Sequence, residues 1–330
     1  SSLLEDRTGA SFSGKYRSLF LANRGTPDER LQELQDAIAE VYASIFGPDP
    51  IEYRAERGLL DVHEEMGIMI QEVVGRRVGR YFLPSFAGVA VSNNEFRWSP
   101  RIRREDGLIR LVPGLGTRAV DRLTDDYPVL LSPGQPGLRV NTTTEEVIRY
   151  APRMVDLIDL EANAFTTIPV ARLLAEVGPE LPLVRQIVSI RDHDGLRRPA
   201  RFGVDFSRDE AVVTFDGLAG DTAFLPRMAA LLRVLRERFG GPVDLEFACG
   251  GEDLHIVQCR PQSHAAGEGP PPLIPRNLDP EIVLFSAHRH VSTGAVPDLT
   301  HLVHVDGEAY AALPDVERLR AKAIQIESPA

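Results

Sequence analysis

The sequence predicts an α+β fold of mostly antiparallel sheets flanked by helices, with a small α/β extension at its C-terminal end. Three stretches predict it. Residues 241–261 hold two runs of alternating character on either side of a Gly-Gly-Glu-Asp turn, the pattern of a β-hairpin. Residues 27–46 and residues 222–239 each carry apolar side chains at helical spacing.

The hairpin carries the chemistry. In its first run Val243, Leu245 and Phe247 face one way, and Asp244 and Glu246 face the other. In the second run Gln258 and Arg260 are two apart and share a face. Folding about Glu252 sets Glu246 opposite Gln258 and Asp244 opposite Arg260. One face then presents two carboxylates, an amide oxygen and a guanidinium above an apolar underside. That set suits a magnesium nucleotide. Mg²⁺ takes oxygen ligands, one or two of them from protein, and a guanidinium fork matches phosphate. On spacing alone, the solvated outer face of an amphipathic hairpin is the simpler account.

The other elements follow in chain order. Thr26 and Glu29 make a capping box with Pro27 at the first helical position. Leu31, Leu34, Ile38, Val41, Tyr42 and Ile45 form the apolar stripe of that helix, and Gly47-Pro48 ends it. A second helix starts near Pro50 and carries Tyr53 and Arg54 as scaffold. Residues 67–74 read as a buried strand, and residues 85–92 as another, with Asn93-Asn94 turning the chain. Thr144 caps a short helix running to Tyr150. Residues 157–160 and 184–190 read as strands, and residues 196–201 as a basic, solvated loop. In the helix over 222–239, Met228, Leu231, Leu232, Leu235 and Phe239 hold one face. Arg233, Arg236 and Arg238 sit near its C-terminus, where the dipole favours cations, and Gly240-Gly241 stop it.

Residues 263–278 are rich in Ala, Gly and Pro and read as a linker, with His264 a linker residue. In residues 279–330, strands are expected at 282–285 and 302–305 and a helix at 313–326. His288, His290, His301 and His304 could form a zinc site of a hydrolase, but exposed histidines are the simpler account.

Composition narrows the partners. A net charge of −11 argues against nucleic acid or an anionic membrane as partner. No apolar run is long enough to span a bilayer, and no secretory signal pattern appears. The two cysteines, Cys249 and Cys259, are not opposed in the hairpin register, so no disulfide and a reducing, cytoplasmic setting are expected. Ser1 is not an initiating residue, which reads as a trimmed chain.

The run Pro-Val-Asp-Leu-Glu-Phe-Ala, followed by Gln-Cys-Arg-Pro, resembles the end of the nucleotide-binding domain of the phosphoenolpyruvate synthase and pyruvate phosphate dikinase family. That domain is of the ATP-grasp type. The resemblance implies that Glu246 and Gln258 bind the metal of Mg-ATP, that Asp244 supports the site, and that Arg260 meets the transferring phosphoryl group. Residues 1–23 resemble the family's Arg-Ser-Ser segment and the Ser-Phe-Ala-Gly after it. By that likeness a loop with Gly9, Ser11, Ser13 and Gly14 covers the phosphates. Residues 67–74 resemble the hinge strand, which puts Gln71, Glu72 and Val74 at the adenine pocket. Residues 111–120 match Gly-Leu-Gly-Glu-x-Val, with Thr117 in place of the Glu and with Gly114 and Gly116 serving backbone geometry.

The resemblance thus implies an ATP-grasp domain over residues 1–262, a linker over 263–278 and an extension over 279–330. The family's Arg before the serine pair, and a Lys further upstream, lie outside these residues, so the domain is expected to be N-terminally incomplete and inactive alone. Expected ligands are ATP and Mg²⁺, and the expected partner is a phosphohistidine carrier domain absent from the chain. The alternative expectation is a nucleotide-sensing or interaction module without turnover.

Overall fold

A computed structural model describes residues 16–56, 58–61, 65–120, 126–200, 204–206, 208–251, 253–262, 279, 291–292 and 307–314. Residues Ser1–Thr293 form one compact unit and Gly294–Ala330 a second.

The first unit opens with α1 (Pro27–Ala43), α2 (Pro48–Glu56), β1 (Arg76–Val78), β2 (Tyr81–Leu83), β3 (Phe86–Val91) and β4 (Phe96–Arg97). Next come β5 (Leu108–Pro113), α3 (Thr117–Val120), β6 (Val129–Leu131), α4 (Thr144–Arg149), β7 (Met154–Asp159) and β8 (Ala164–Pro169). They are followed by α5 (Val170–Val177), α6 (Val184–Ile187), β9 (Val188–Asp192), β10 (Gly195–Arg197), β11 (Ala211–Val213) and α7 (Asp216–Asp221). The unit closes with α8 (Phe224–Phe239), β12 (Val243–Cys249), β13 (Leu254–Pro261) and β14 (Val291–Ser292). In the second unit the described helix is α9 (Gly307–Ala312).

The strands form a five-stranded sheet in the order β13-β12-β3-β5-β6 and a four-stranded sheet in the order β1-β2-β7-β8. Smaller sheets pair β10-β9-β11 and β14-β4. Every strand pair in the two large sheets is antiparallel, as the α+β reading requires. An isolated parallel bridge between Gly114 and Asp156 ties the end of β5 to β7, and so one large sheet to the other.

The core forms where the five-stranded sheet meets α8. Leu245 and Phe247 of β12, Ala90 of β3 and Ile109 and Leu111 of β5 are buried in one cluster with Leu225, Met228 and Leu232 of α8. Phe86 meets Phe215 and Phe224 edge to face, at centroid distances of 5.9 and 5.6 Å. Gly88 stands opposite Phe247 in the sheet, and the ring lies over it. A Cβ at Gly88 would come within 2.2 Å of the Arg110 carbonyl oxygen.

Several expectations hold. Thr26 and Glu29 form the capping box of α1, with Thr26 accepting from the Glu29 amide at 3.3 Å. Tyr53 and Arg54 are buried on α2, where Arg54 donates to the carbonyls of Ile45 and Pro50. Gly240 caps α8 in the left-handed conformation. Among the described residues, no helix is long and apolar enough to cross a membrane.

Other expectations are corrected. Residues 67–75 form no strand, and Met69 and Ile70 are 66% and 64% exposed. Strand-like composition fits a pleated, half-buried surface but does not by itself pair a strand into a sheet. The α1 helix stops at Ala43 and passes into a 3₁₀ turn over Ser44–Phe46, and none of its own residues is fully buried. Thr143, not Thr144, caps α4, accepting from the Glu146 amide. Residues 184–190 divide into the single turn α6 and the start of β9, because Leu183 takes a left-handed conformation that redirects the chain. Part of the basic run belongs to β10, and Arg198 pairs with Asp221. The expected strands at 282–285 and 302–305, the linker and the histidines 264, 288, 290, 301 and 304 lie outside the described residues. So does most of the helix expected at 313–326, and α9 ends one residue before Leu313.

Gly88→Ala is expected to destabilise the protein by about 1–3 kcal/mol, because the added methyl meets backbone that cannot yield without moving β5. A thermal melt of the variant beside the parent checks this, and an unchanged midpoint would mean that β3 and β5 are not held this tightly.

Candidate functional site

The site is built on the hairpin of β12 and β13. Val243, Leu245 and Phe247 are buried, while Asp244 and Glu246 between them are half-buried on the other face. The register is the expected one, with Asp244 opposite Arg260 and Glu246 opposite Gln258. Directly after Glu246 the ladder bulges, so that Phe247 pairs with Ile256. Bulges tighten strand twist and re-aim side chains.

Arg260 lies against Asp244. Its Nε and Nη2 donate to Asp244 Oδ2 at 3.3 and 3.1 Å, and the two side chains are 23% and 19% exposed. Asp244 therefore orients the guanidinium. The other oxygen, Asp244 Oδ1, is buried and makes no hydrogen bond. An acceptor left in that state costs on the order of 1–3 kcal/mol, which an incoming donor or cation would remove.

The neighbouring strands extend this face. In the paired rows Glu246 stands beside Val89 of β3, and Val89 beside Arg110 of β5. Opposed residues of an antiparallel sheet share a face, so Gln258, Glu246, Val89 and Arg110 form one row across four strands.

The remaining candidates divide. Val74 reaches the hairpin, since its Cγ1 lies 3.3 Å from the position a Cβ on Gly250 would take. Gln71 and Glu72 are exposed in the irregular segment leading to it. Gly9, Ser11, Ser13 and Gly14 lie outside the described residues.

The Gly114–Gly116 turn is a packing device. Gly114 has a φ of +69°, and a Cβ there would lie 2.5 Å from the Asp156 carbonyl oxygen. Thr117 Oγ1 donates to Asp156 Oδ2 at 2.5 Å, and Thr167 Oγ1 to Asp156 Oδ1 at 2.6 Å. Arg118 joins the cluster through Asp156 at 3.5 Å and Asp126 at 2.9 Å. Asp156 was missed in the sequence because its partners are 11 and 39 residues away.

Neither cysteine is in a disulfide. Cys249 faces Leu254 and Cys259 faces Leu245, so they are not opposed. Burial pushes the Cys259 thiol up, and the charge of Asp244 adds to the effect.

Among the described residues, no group of three or more His, Cys, Asp or Glu side chains could hold a metal ion. The hairpin set is different in kind, a carboxylate with an amide oxygen. It fits a hard cation that takes most of its ligands from phosphate and water, and the unpartnered Asp244 Oδ1 marks where added positive charge is favourable. An open groove beside α1, lined by Arg24, Glu29, Gln32, Glu33, Asp36 and Asn163, contains none of the candidate residues.

The sequence model of one family, described as "Pyruvate phosphate dikinase, AMP/ATP-binding domain", matches residues 1–272. No curated protein matches the chain.

A raised thiol pKa lowers the thiolate fraction at a given pH, and the thiolate is the reactive form. Cys259 should therefore alkylate more slowly at pH 8 than an exposed thiol. Asp244→Asn should speed it only in part, because burial is the larger cause. Mass-spectrometric timing of iodoacetamide labelling checks both, and a rate equal to that of free glutathione would show the thiol fully exposed.

Proposed function

The chain belongs to the pyruvate phosphate dikinase AMP/ATP-binding domain family, and from that premise we propose that it binds Mg-ATP on the hairpin face. In this reading it serves phosphoryl transfer from ATP to a histidine carrier outside the chain. The family is kinase-like, which supports the reaction class. The observation that carries the reading is the pair of opposed couples, Glu246 with Gln258 and Asp244 with Arg260, on one half-buried face. The nucleotide-binding domain spans residues 1–262 here, and the match to residue 272 supports an end near that point.

Glu246 and Gln258 would hold Mg²⁺. When bound, that ion supplies charge neutralisation on the phosphate oxygens. Arg260, aimed by Asp244, stabilises the charge that spreads over the transferring phosphoryl group. Phosphoryl transfer asks little covalent chemistry of side chains and much of positioning, which a sheet face supplies. Val74, beside the hairpin turn, stands at the adenine end with Gln71 and Glu72 on the approach to it. The loop with Gly9, Ser11, Ser13 and Gly14 covers the phosphates, as the family likeness implies.

The Asp244–Arg260 contact favours one second reading. A guanidinium already neutralised by a carboxylate has less charge to lend to a transition state. A nucleotide sensor that binds without turnover uses the same face.

Glu246→Ala should weaken Mg-ATP binding at least tenfold, on the order expected for loss of an ionised ligand. Calorimetric titration checks this, and unchanged affinity removes the metal assignment. Arg260→Lys should lower phosphotransfer more than binding, because a point charge does not replace a planar fork. Equal loss in both assays counts against a transition-state role, and in a longer protein that supplies the upstream Arg and Lys and the histidine carrier, binding without any turnover selects the sensor.

A further inference from the structure

We propose that Gln262 is a positioning residue of the hairpin site, one that holds the end of β13 so that Arg260 stands in place before a ligand arrives. The inference rests on the nucleotide-binding reading above and adds to it the part that fixes Arg260. The observation that carries it is a clasp between the Gln262 side-chain amide and the backbone of Asn93. Gln262 Oε1 accepts from the Asn93 amide at 3.2 Å, and Nε2 donates to the Asn93 carbonyl at 3.1 Å. Asn93 follows β3, so the clasp ties the end of β13 to the strand beyond its own neighbour, β12.

The end of β13 has few other supports. Among the described strands, β13 pairs with β12 alone. Residues 254–257 are exposed throughout. The ladder is also interrupted there. Gln258 faces Glu246 and Ile256 faces Phe247, so Val257 is the extra residue of the bulge. Arg260 therefore depends on residues 258–261, which the bulge separates from the turn. At the far end of that stretch Gln262 donates its amide to the Pro242 carbonyl at 2.8 Å, but Pro242 has no N–H to return the bond. The two side-chain bonds to Asn93 stand in for the missing one.

The other half of the clasp is itself held. Ser92, before Asn93, donates its amide to the Val243 carbonyl at 2.9 Å and accepts from the Val243 amide at 2.8 Å. Asn94, after it, is fully buried, with its amide donating to the Arg104 carbonyl at 2.7 Å and its Oδ1 accepting from the Phe96 amide at 2.9 Å. Gln262 stands two residues from Arg260, so extended backbone puts both on one face. Asp244 aims the guanidinium, and Gln262 fixes the backbone from which it is aimed. A side chain held in this way has less freedom to lose when a ligand binds.

The test is a double-mutant cycle on the chain, with parent, Gln262→Ala, Arg260→Ala and the two combined. Calorimetry reads Mg-ATP affinity, and NMR reads the Arg260 Nε–H signal, identified by its loss in Arg260→Ala. Gln262→Ala should weaken Mg-ATP binding about fivefold, the scale of one hydrogen bond, and broaden the Nε–H signal. In the Arg260→Ala background it should weaken binding no further, because a residue that acts through Arg260 then has nothing to position. Gln262→Met keeps the side-chain length and loses both bonds. It should match Gln262→Ala, and it carries the test if the Ala variant melts early. Equal weakening with and without Arg260 assigns Gln262 to general structure and overturns the proposal. Parent-like affinity of both Gln262 variants, with Arg260→Ala binding weakly, also overturns it and leaves the nucleotide reading standing. A parent that binds no Mg-ATP overturns the nucleotide reading for this chain, and the NMR signal then decides the clasp alone. Broadening in Gln262→Ala supports it, and an unchanged signal overturns it.

Discussion

The rest of the structure depends on the register of β12 against β13. Val243, Leu245 and Phe247 are buried on the core side, and side chains of that size contribute roughly 1.5–3 kcal/mol each when removed from water. A slip by one residue would turn all three outward and bring Asp244 and Glu246 into the core. The largely buried ion pair of Asp244 with Arg260 does not set the register, since its desolvation offsets much of its attraction. The apolar face therefore decides where the polar groups stand, and the polar groups follow. The ends of the hairpin are pinned as well. Ser92 Oγ accepts from the Val243 amide at 2.8 Å, and Gln262 exchanges two hydrogen bonds with the backbone of Asn93.

That scaffold gives the polar face fixed geometry at little entropic cost. Arg260 does not have to be ordered by a ligand, because Asp244 already holds two of its donors. The bulge after Glu246 places a local twist beside the Glu246–Gln258 couple, on the side leading to Val74 and the turn. The strand spacing from Glu246 to Gly250 is about 13 Å, which sets the Glu246–Gln258 couple apart from the turn that Val74 meets.

The sequence was most legible where a short period and a buried face coincide. Asp244, Glu246, Gln258 and Arg260 could be paired by counting, because alternation and a short turn leave little freedom in register. Thr26 with Glu29, and Gly240 after α8, were legible because capping is a local rule. Residues 67–74 misled because Ile and Met next to Val look like a strand, yet pairing is decided by neighbours far along the chain. Thr144 misled as the cap because Thr143 before it carries the same hydroxyl and has Glu146 at the capping-box position. The Thr117–Asp156 contact and the alignment of Arg110 with Glu246 appear only once the sheets are assembled, so no window of the sequence contains them.

The carboxylates can be sorted by what already satisfies them. Asp156 accepts from Thr117, Thr167 and Arg118, and Asp126 from Arg118 and from the amides of Arg153 and Met154. Asp159 is taken up by Arg80 and by the amides of Glu161 and Ala162. These acids are spent on structure, and the turn at Thr117 contributes a hydroxyl that bonds inward rather than a carboxylate. Among the described residues, buried carboxylate oxygens without a hydrogen-bond partner belong to Glu95 and Asp244. Glu95 is anchored through its other oxygen to Arg104, in the loop after β3. Asp244 alone of the two lies on the hairpin, one alternation from Glu246 on the same face. The unpartnered acceptor thus lies on the face that also presents the Glu246–Gln258 couple, and the proposed binding surface rests on this coincidence more than on any single residue.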